Sequence, residues 1–287
     1  MNLTIESGIE LNDGRFIPRL AFGTFNLADG DEATAAVTCA IEAGYRHIDC
    51  ARFYGNEKGV GAALAASGVP RDELFIASKV WNDRQIDGTV RESVEESLRD
   101  LQLDHLDLLL IHWPVAGKFA GTWRIFEQLR EEGLVRSIGV SNFRVTHLRE
   151  LMAGGNVAPA LDQMEHHPYL QDAGTLAFCR ENDIVYEAWS PLGRGGCLDD
   201  PVIGEIARAH GASPAQIIIA WHVQHGVIPL PRSKNPERIR ANARMLVEPL
   251  TEAEMASINA LDKGKPVIEG IDPANFAPYL NSLSSHF

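Results

Sequence analysis

Short apolar runs alternate with longer amphipathic segments along nearly the whole chain, at a repeat of roughly 30 residues, and this alternation limits the possible folds more than any other feature. The apolar runs are RLAFG (19–23), YRHID (45–49), LFIASKV (74–80), LDLLLIHW (106–113), RSIGV (136–140), PALDQME (159–165), IVYEAW (184–189) and GVIPL (226–230). Each is nearly continuously apolar, the pattern of parallel strands that are covered on both faces. The segments between them, such as 31–44, 88–102, 122–133, 144–155 and 235–246, carry apolar residues at helical spacing and end on Gly or Asp. Eight strand–helix units close most simply into a (β/α)8 TIM barrel.

The flanks fit that frame. TIESGIELNDGRFI, with its Asn-Asp-Gly turn, predicts an N-terminal β-hairpin. After the eighth unit, 251–262 predicts an extra helix opened by Thr251 with Glu254 three residues on, followed by an ordered tail across one rim. No Pro/Gly/Ser linker divides the 287 residues, so one domain over 1–287 is expected. A net charge of -13 argues against nucleic acid or an anionic membrane as partner, because both need a basic footprint. The start lacks a signal-peptide pattern and no apolar run is long enough to span a membrane, so a cytoplasmic monomer acting on a small molecule is expected. Cys39, Cys50, Cys179 and Cys197 are scattered without a pairing pattern and read as reduced thiols.

In a closed parallel barrel, functional groups stand at the carboxyl ends of the strands. The second run ends at Asp49, the third at Lys79 and the fourth at His112, and Tyr54 follows in the loop beyond the second. Taken singly, an Asp there is most often a cap, a Lys a surface residue and a His a structural one. Together they make a consistent chemistry. A buried Lys79 needs a partner, which Asp49 supplies from the adjacent strand. A cation beside Tyr54 favours the phenolate, so the expectation is a phenol lowered toward the range of a general acid, with His112 as a second donor to a carbonyl oxygen. Lys79 as a Schiff-base nucleophile is the competing enzymatic reading, and a nucleotide-sensing barrel that needs no acid is the non-catalytic one.

Farther along, PRSKNPERIRANAR (231–244) gathers Arg232, Lys234, Arg238, Arg240 and Arg244 around a helix start marked by Asn235 and Pro236. A helix amino end flanked by arginines suits a phosphate, whereas the bland reading is a solvated basic face. SPLGRGG (190–196) is a loop whose glycines let backbone approach a pyrophosphate. GVGAAL (59–64) imitates a dinucleotide fingerprint, but it lies within a helix and reads as helix packing. His166 and His167 are adjacent on an extended segment and point to opposite faces, which argues against a shared metal.

GYRHIDCARFYGNEKGVGAAL, SKVWN, LLLIHWP, RSIGVSNF, YEAWSPLG and RSKNPERIRAN, in this order over about residues 3 to 262, resemble the aldo-keto reductase superfamily, and most of all its bacterial 2,5-diketo-D-gluconate reductase-type members. The resemblance implies an NADPH-dependent reduction of aldehydes and ketones to alcohols, with Asp49, Tyr54, Lys79 and His112 as the catalytic tetrad and Tyr54 as proton donor. It implies Ser141, Asn142 and Gln163 on the nicotinamide carboxamide and Trp189 stacked on the ring. Thr24, Ser190, Leu192 and Gly193 complete the cofactor contacts, with Arg232, Ser233 and Arg238 on the 2′-phosphate and Asn242 on the adenine. Arg232 stands where the family usually has Lys, and Asp162 where it commonly has Asn, a departure that bears on the nicotinamide contacts. Phe22, Trp81 and Trp113, with Phe25 and Phe53, are expected to line an apolar substrate pocket shaped by the 115–121 loop and the tail after 264. Small aldehydes, α-dicarbonyls such as methylglyoxal, and keto-sugars all fit such a pocket.

Overall fold

A computed structural model describes residues 7–244 and 248–268. Residues 4–6 of the expected hairpin, the last two residues of the expected 235–246 helix and the tail from 269 lie outside the described residues. An antiparallel hairpin, β1 (Gly8–Glu10) and β2 (Phe16–Pro18), precedes an eight-stranded parallel sheet. Its strands are β3 (Ala21–Gly23), β4 (His47–Asp49), β5 (Phe75–Val80), β6 (Leu106–Ile111), β7 (Val135–Ser141), β8 (Leu161–Glu165), β9 (Val185–Trp189) and β10 (Ile228–Pro229), paired in chain order. The Gly23 amide donates to Pro231 O at 3.3 Å, joining the end of β3 to the end of β10 and closing the (β/α)8 TIM barrel.

Period-two alternation sorts the strand residues into two apolar layers. Ala77, Leu108, Leu110, Leu161, Val185 and Ile228 pack together inside the barrel. Their neighbours Ile76, Leu109, Ile111, Ile138 and Val140 face outward against the helices. Burying side chains of this size contributes about 1.5–3 kcal/mol each, so both faces of every strand are committed. Leu11 and Ile17 of the hairpin join the inner layer, and the hairpin therefore stoppers the amino end of the barrel. That leaves the carboxyl rim open for a site.

The covering helices begin with α1 (Asp31–Glu42) and α2 (Glu57–Ala66). A Cβ on Gly61 would lie 2.5 Å from Asp100 O, and one on Gly59 would lie 2.9 Å from the backbone of Gly30, so the GVGAAL glycines serve close helix packing. After β5 the chain forms two helices, α3 (Asn82–Asp87) and α4 (Val90–Leu101), where sequence periodicity suggests one. Next come α5 (Phe119–Glu131), α6 (Val145–Gly154) and α7 (Ala173–Glu181). β9 is again followed by two, α8 (Pro201–Ala209) and α9 (Pro214–Gln224), each opened by proline behind a capping side chain, Asp200 or Ser213. α10 (Pro236–Ala243) follows β10, and α11 (Glu252–Asn259) starts in the Thr251–Glu254 capping box. Among the described residues, no helix is long and apolar enough to cross a membrane.

Candidate active site

Asp49, Lys79 and His112 stand at or just beyond the carboxyl ends of β4, β5 and β6, and Tyr54 closes a single 3-10 turn (Arg52–Tyr54) after β4. Lys79 is 1% exposed, with its Nζ 2.6 Å from both carboxylate oxygens of Asp49 and 2.8 Å from Cys50 O. Its remaining neighbour is the Tyr54 hydroxyl, at 3.3 Å. Gln163 Nε2 donates to Asp49 Oδ2 at 2.9 Å, holding the carboxylate from β8. Thr24 Oγ1 donates to Asp49 O at 2.9 Å and fixes the strand end. A buried ion pair persists only with such supporting hydrogen bonds.

Burial alone would lower the Lys79 ammonium, but Asp49 and the nearby phenol outweigh it and hold the amine above its ordinary range. Tyr54 departs from the sequence expectation. Burial pushes its phenol up and exceeds the opposing pull of Lys79, leaving it at about 12 rather than below its usual value. The ammonium is already neutralised at close range by Asp49, which is why its effect on the phenol is outweighed. Burial, then Lys79, holds His112 well below its ordinary value, so the imidazole is neutral. His112 Nδ1 is buried without a hydrogen-bond partner among the described residues.

Asp49, Tyr54 and His112 line a cleft of about 690 Å³, together with Phe25, Phe53, Trp81 and Trp113. Trp81 stacks on Phe53 at 3.8 Å and 17°, and its ring also meets His112 edge-on at 4.7 Å. Ser141, Asn142, Gln163, Trp189, Ser190 and Leu192 line it as well. Trp189 Nε1 donates to Asn142 Oδ1 at 2.9 Å, and Asn142 Nδ2 donates to His112 O at 3.0 Å, which locks the plane of the indole. Asn142 sits in the left-handed region at φ 64, a conformation asparagine tolerates better than most residues.

Four of the residues singled out for the site do not line the cleft. Phe22 is 1% exposed and packs edge-on against Tyr45 at 5.6 Å in the helix-side layer. The alternation along β3 turns Ala21 inward, so Phe22 must turn outward, away from the cleft. Thr24 is wholly buried and its hydroxyl is spent on Asp49, so it does not line the cleft. Gly193 does not line it either, although Leu192, Arg194 and Gly195 do; a Cβ there would lie 2.8 Å from Cys197 Sγ. Asp162 faces the helix layer, because its neighbour Gln163 faces the barrel interior, so its departure from the family's Asn leaves the cleft unchanged. The 115–121 loop is also absent from the lining, whereas Ile268 of the tail contributes to it.

The cleft is also lined by Arg232, Ser233, Arg238 and Asn242. Lys234 lies 3.3 Å from Glu32 and Arg240 lies 3.9 Å from Glu42, but Arg232 and Arg238 have no carboxylate at ion-pair distance among the described residues. Asn235 Oδ1 accepts from the amides of Glu237 and Arg238, so the amino end of α10 is already capped. An anion here would therefore rest on arginine and serine side chains rather than on helix amides. Sequence reasoning missed Arg194, Asp199 and the Ser213–Ala215 turn, all of which line the cleft. Arg194 was legible as the lone charge in SPLGRGG, and Ser213-Pro214 as a helix start.

The model of the aldo/keto reductase family matches residues 19–263. A glyoxal reductase of Bacillus subtilis is 44% identical over 267 residues, covering 93% of this chain and 97% of its own length. Among solved structures, an aldo/keto reductase from Brucella melitensis aligns with a TM-score of 0.86 at 43% identity, covering 89% of this chain and 99% of that one. A Bombyx mori aldo-keto reductase, solved in complex with NADP, aligns at 0.88 and 36% identity, covering 94% and 97%. With the closed barrel and the lysine–phenol contact at its carboxyl rim, these matches make the chain a member of the aldo/keto reductase family, a nicotinamide-dependent oxidoreductase acting on carbonyl compounds.

Proposed function

We propose that the protein reduces small aldehydes, α-dicarbonyls and keto-sugars to alcohols with NADPH, and that Tyr54 is the general acid. The observation that carries the reading is the Lys79 ammonium, pinned by Asp49 and 3.3 Å from the Tyr54 hydroxyl at the floor of an aromatic-lined cleft. The cleft suits a dinucleotide phosphate in kind: a tryptophan face held flat by Asn142, and two arginines without carboxylate partners among the described residues, beside Ser233. Trp189, Ser141, Asn142 and Gln163 would hold the nicotinamide end. Ser190 and Leu192 would flank the pyrophosphate, Arg232, Ser233 and Arg238 would take the 2′-phosphate, and Asn242 the adenine. Bound NADPH supplies a hydride to the carbonyl carbon.

The chain's own residues manage the proton. At about 12, Tyr54 keeps its proton at neutral pH and therefore has one to give. An alkoxide is far more basic than a phenolate, so the transfer runs downhill once negative charge develops on the carbonyl oxygen. Lys79 then stabilises the phenolate, and this stabilisation grows only as charge appears. Neutral His112, with Nδ1 enclosed, is suited to offering its other nitrogen as a donor to the same oxygen. The glyoxal reductase activity named for the Bacillus relative favours α-dicarbonyls as first substrates. The ion pair counts against a Schiff-base role, since a protonated amine is no nucleophile.

The test is the loss of NADPH absorbance with methylglyoxal, glyoxal and a panel of aldehydes and keto-sugars. Tyr54→Phe is expected to lower kcat by about 10²–10⁴-fold with NADPH affinity retained. Undiminished turnover in that variant would remove Tyr54 from the role of acid.

A further inference from the structure

Glu187 has no task in the chemistry above, although it is fully buried directly behind the Asp49–Lys79 pair. A carboxyl in that position is costly unless partnered. Its Oε2 accepts from Gln163 Nε2 at 2.7 Å, and the same nitrogen donates to Asp49 Oδ2 at 2.9 Å. An amide nitrogen has two hydrogens, so both are spent. A flipped amide would turn its oxygen toward the Asp49 carboxylate, which can only accept and is ion-paired with Lys79, and leave the nitrogen unmatched. Gln163 is thereby fixed, with its oxygen as the part of the amide left for the cleft it lines. On the other side, Glu187 Oε1 lies 3.6 Å from His47 Nδ1, and the His47 ring also meets the backbone of Pro18.

We propose that Glu187 is a positioning residue of this reductase: it locks the Gln163 amide with its oxygen toward the cleft and, through that amide, holds Asp49 on Lys79. The proposal rests on the reductase reading above and extends it to a residue that touches neither substrate nor cofactor. A ligand group meeting Gln163 must then be a donor, as an amide NH2 is, and an acceptor there is rejected. The titratable groups facing Glu187 are His47 and Asp49 from β4 and Lys79 from β5. Burial, then Asp49, pushes Glu187 up to about 8, while burial and Lys79 push His47 down to about 3, so at neutral pH the proton of this pair resides on the acid. Losing it above that range adds a negative charge beside Asp49. A phenol in more negative surroundings is a weaker acid, and turnover falls.

Two variants of the full-length enzyme separate the parts. Glu187→Leu removes the acceptor, whereas Glu187→Gln keeps an oxygen for Gln163 Nε2 but cannot titrate. NADPH affinity is read from quenching of tryptophan fluorescence with no carbonyl present, and kcat and KM for methylglyoxal are followed from neutral into alkaline pH. Glu187→Leu is expected to bind NADPH roughly tenfold more weakly, the effect of losing one buried hydrogen-bond partner. Glu187→Gln is expected to stay within about threefold of the wild-type affinity and to lose the alkaline fall in kcat. Wild-type affinity in Glu187→Leu, or an unchanged alkaline fall in Glu187→Gln, overturns the proposal, and the second outcome decides alone if the leucine variant does not fold. A wild-type enzyme that binds NADPH but reduces no carbonyl defeats the reductase reading instead. The affinity comparison then still decides what Glu187 does to Gln163.

Discussion

An aspartate and a tyrosine stand together on each face of the barrel, one pair at the cleft and one under the helices, and only one of the two pairs has a cation. Inside, Asp49 and Tyr54 share Lys79, whose Nζ lies 2.6 Å from the carboxylate and 3.3 Å from the phenol. Outside, Asp162 on β8 is paired in register with Tyr186 on β9, under the helices. Asp162 is 0% exposed with only the Phe143 backbone to meet its carboxyl, and the Tyr186 hydroxyl has no hydrogen-bond partner among the described residues. Burial pushes the Asp162 carboxyl and the Tyr186 phenol well above their ordinary values. The same residue types therefore make a charged device on one face and a neutral, mute pair on the other. What differs is an ammonium, and the hydrogen bonds that keep it in place.

The largest expected effect comes from removing that ammonium. Lys79→Met should lower kcat by about 10²–10⁴-fold, as loss of an acid–base partner does. It should also cost about 3–5 kcal/mol of stability, because Asp49 is left buried against Gln163 alone. Asp49→Leu should cost a similar amount by stranding the amine. The double variant Asp49→Leu/Lys79→Met is expected to unfold in urea at a higher concentration than either single variant, while remaining inactive. Single variants that unfold where the wild type does would erase the contrast between the two faces.

The contrast was only half legible in the sequence. The eight apolar runs and the residues that end them are local signals, and β4, β5 and β6 bring Asp49, Lys79 and His112 to one rim as any parallel barrel must. Which way a side chain points in a three-residue strand is not local. An aromatic at the end of an apolar run suits a pocket, but the register of β3 against β4 sends Phe22 to Tyr45. For Asp162 the alternation with Gln163 is a local signal, and it places the acid outside. The direction of the Tyr54 shift required weighing burial against a neighbouring charge, and only the folded geometry supplies both. Glu187 and His47 stayed hidden for another reason: one polar residue within an apolar strand looks like noise until its partner from a distant strand is known.

A middle-sized effect tests the outer face. Asp162 holds its proton more tightly when folded than when unfolded, where a value of about 3.9 applies. Below that value both states are protonated and the site costs nothing. As pH rises above it, the unfolded chain ionises while the folded one does not, and stability falls by up to about 1.4 kcal/mol per pH unit until the folded group also ionises. Asp162→Asn removes this titration and keeps a neutral group of the same shape. The variant is expected to match the wild type in urea unfolding near pH 4 and to exceed it increasingly toward pH 7, with kcat unchanged because Asp162 does not line the cleft. Equal stability of the two proteins at both pH values would mean that this acid is ionised in the fold, the Phe143 backbone outweighing its burial.

The smallest effect isolates the outer phenol. Tyr186→Phe deletes a hydroxyl that has no partner among the described residues and leaves the ring against His166, 5.6 Å away between centroids. Removing an unmatched buried hydroxyl should stabilise the protein by about 0.5–1 kcal/mol or leave it unchanged. If protonated Asp162 instead donates to that hydroxyl in solution, Tyr186→Phe costs about 1 kcal/mol, and the cost changes when Asp162→Asn is already present. The double-mutant cycle thus distinguishes two neutral groups that ignore each other from a hydrogen-bonded pair. Only the first outcome fits an outer face that does no chemistry, since a bonded acid and phenol would reproduce without a cation part of what Lys79 does for Asp49 and Tyr54.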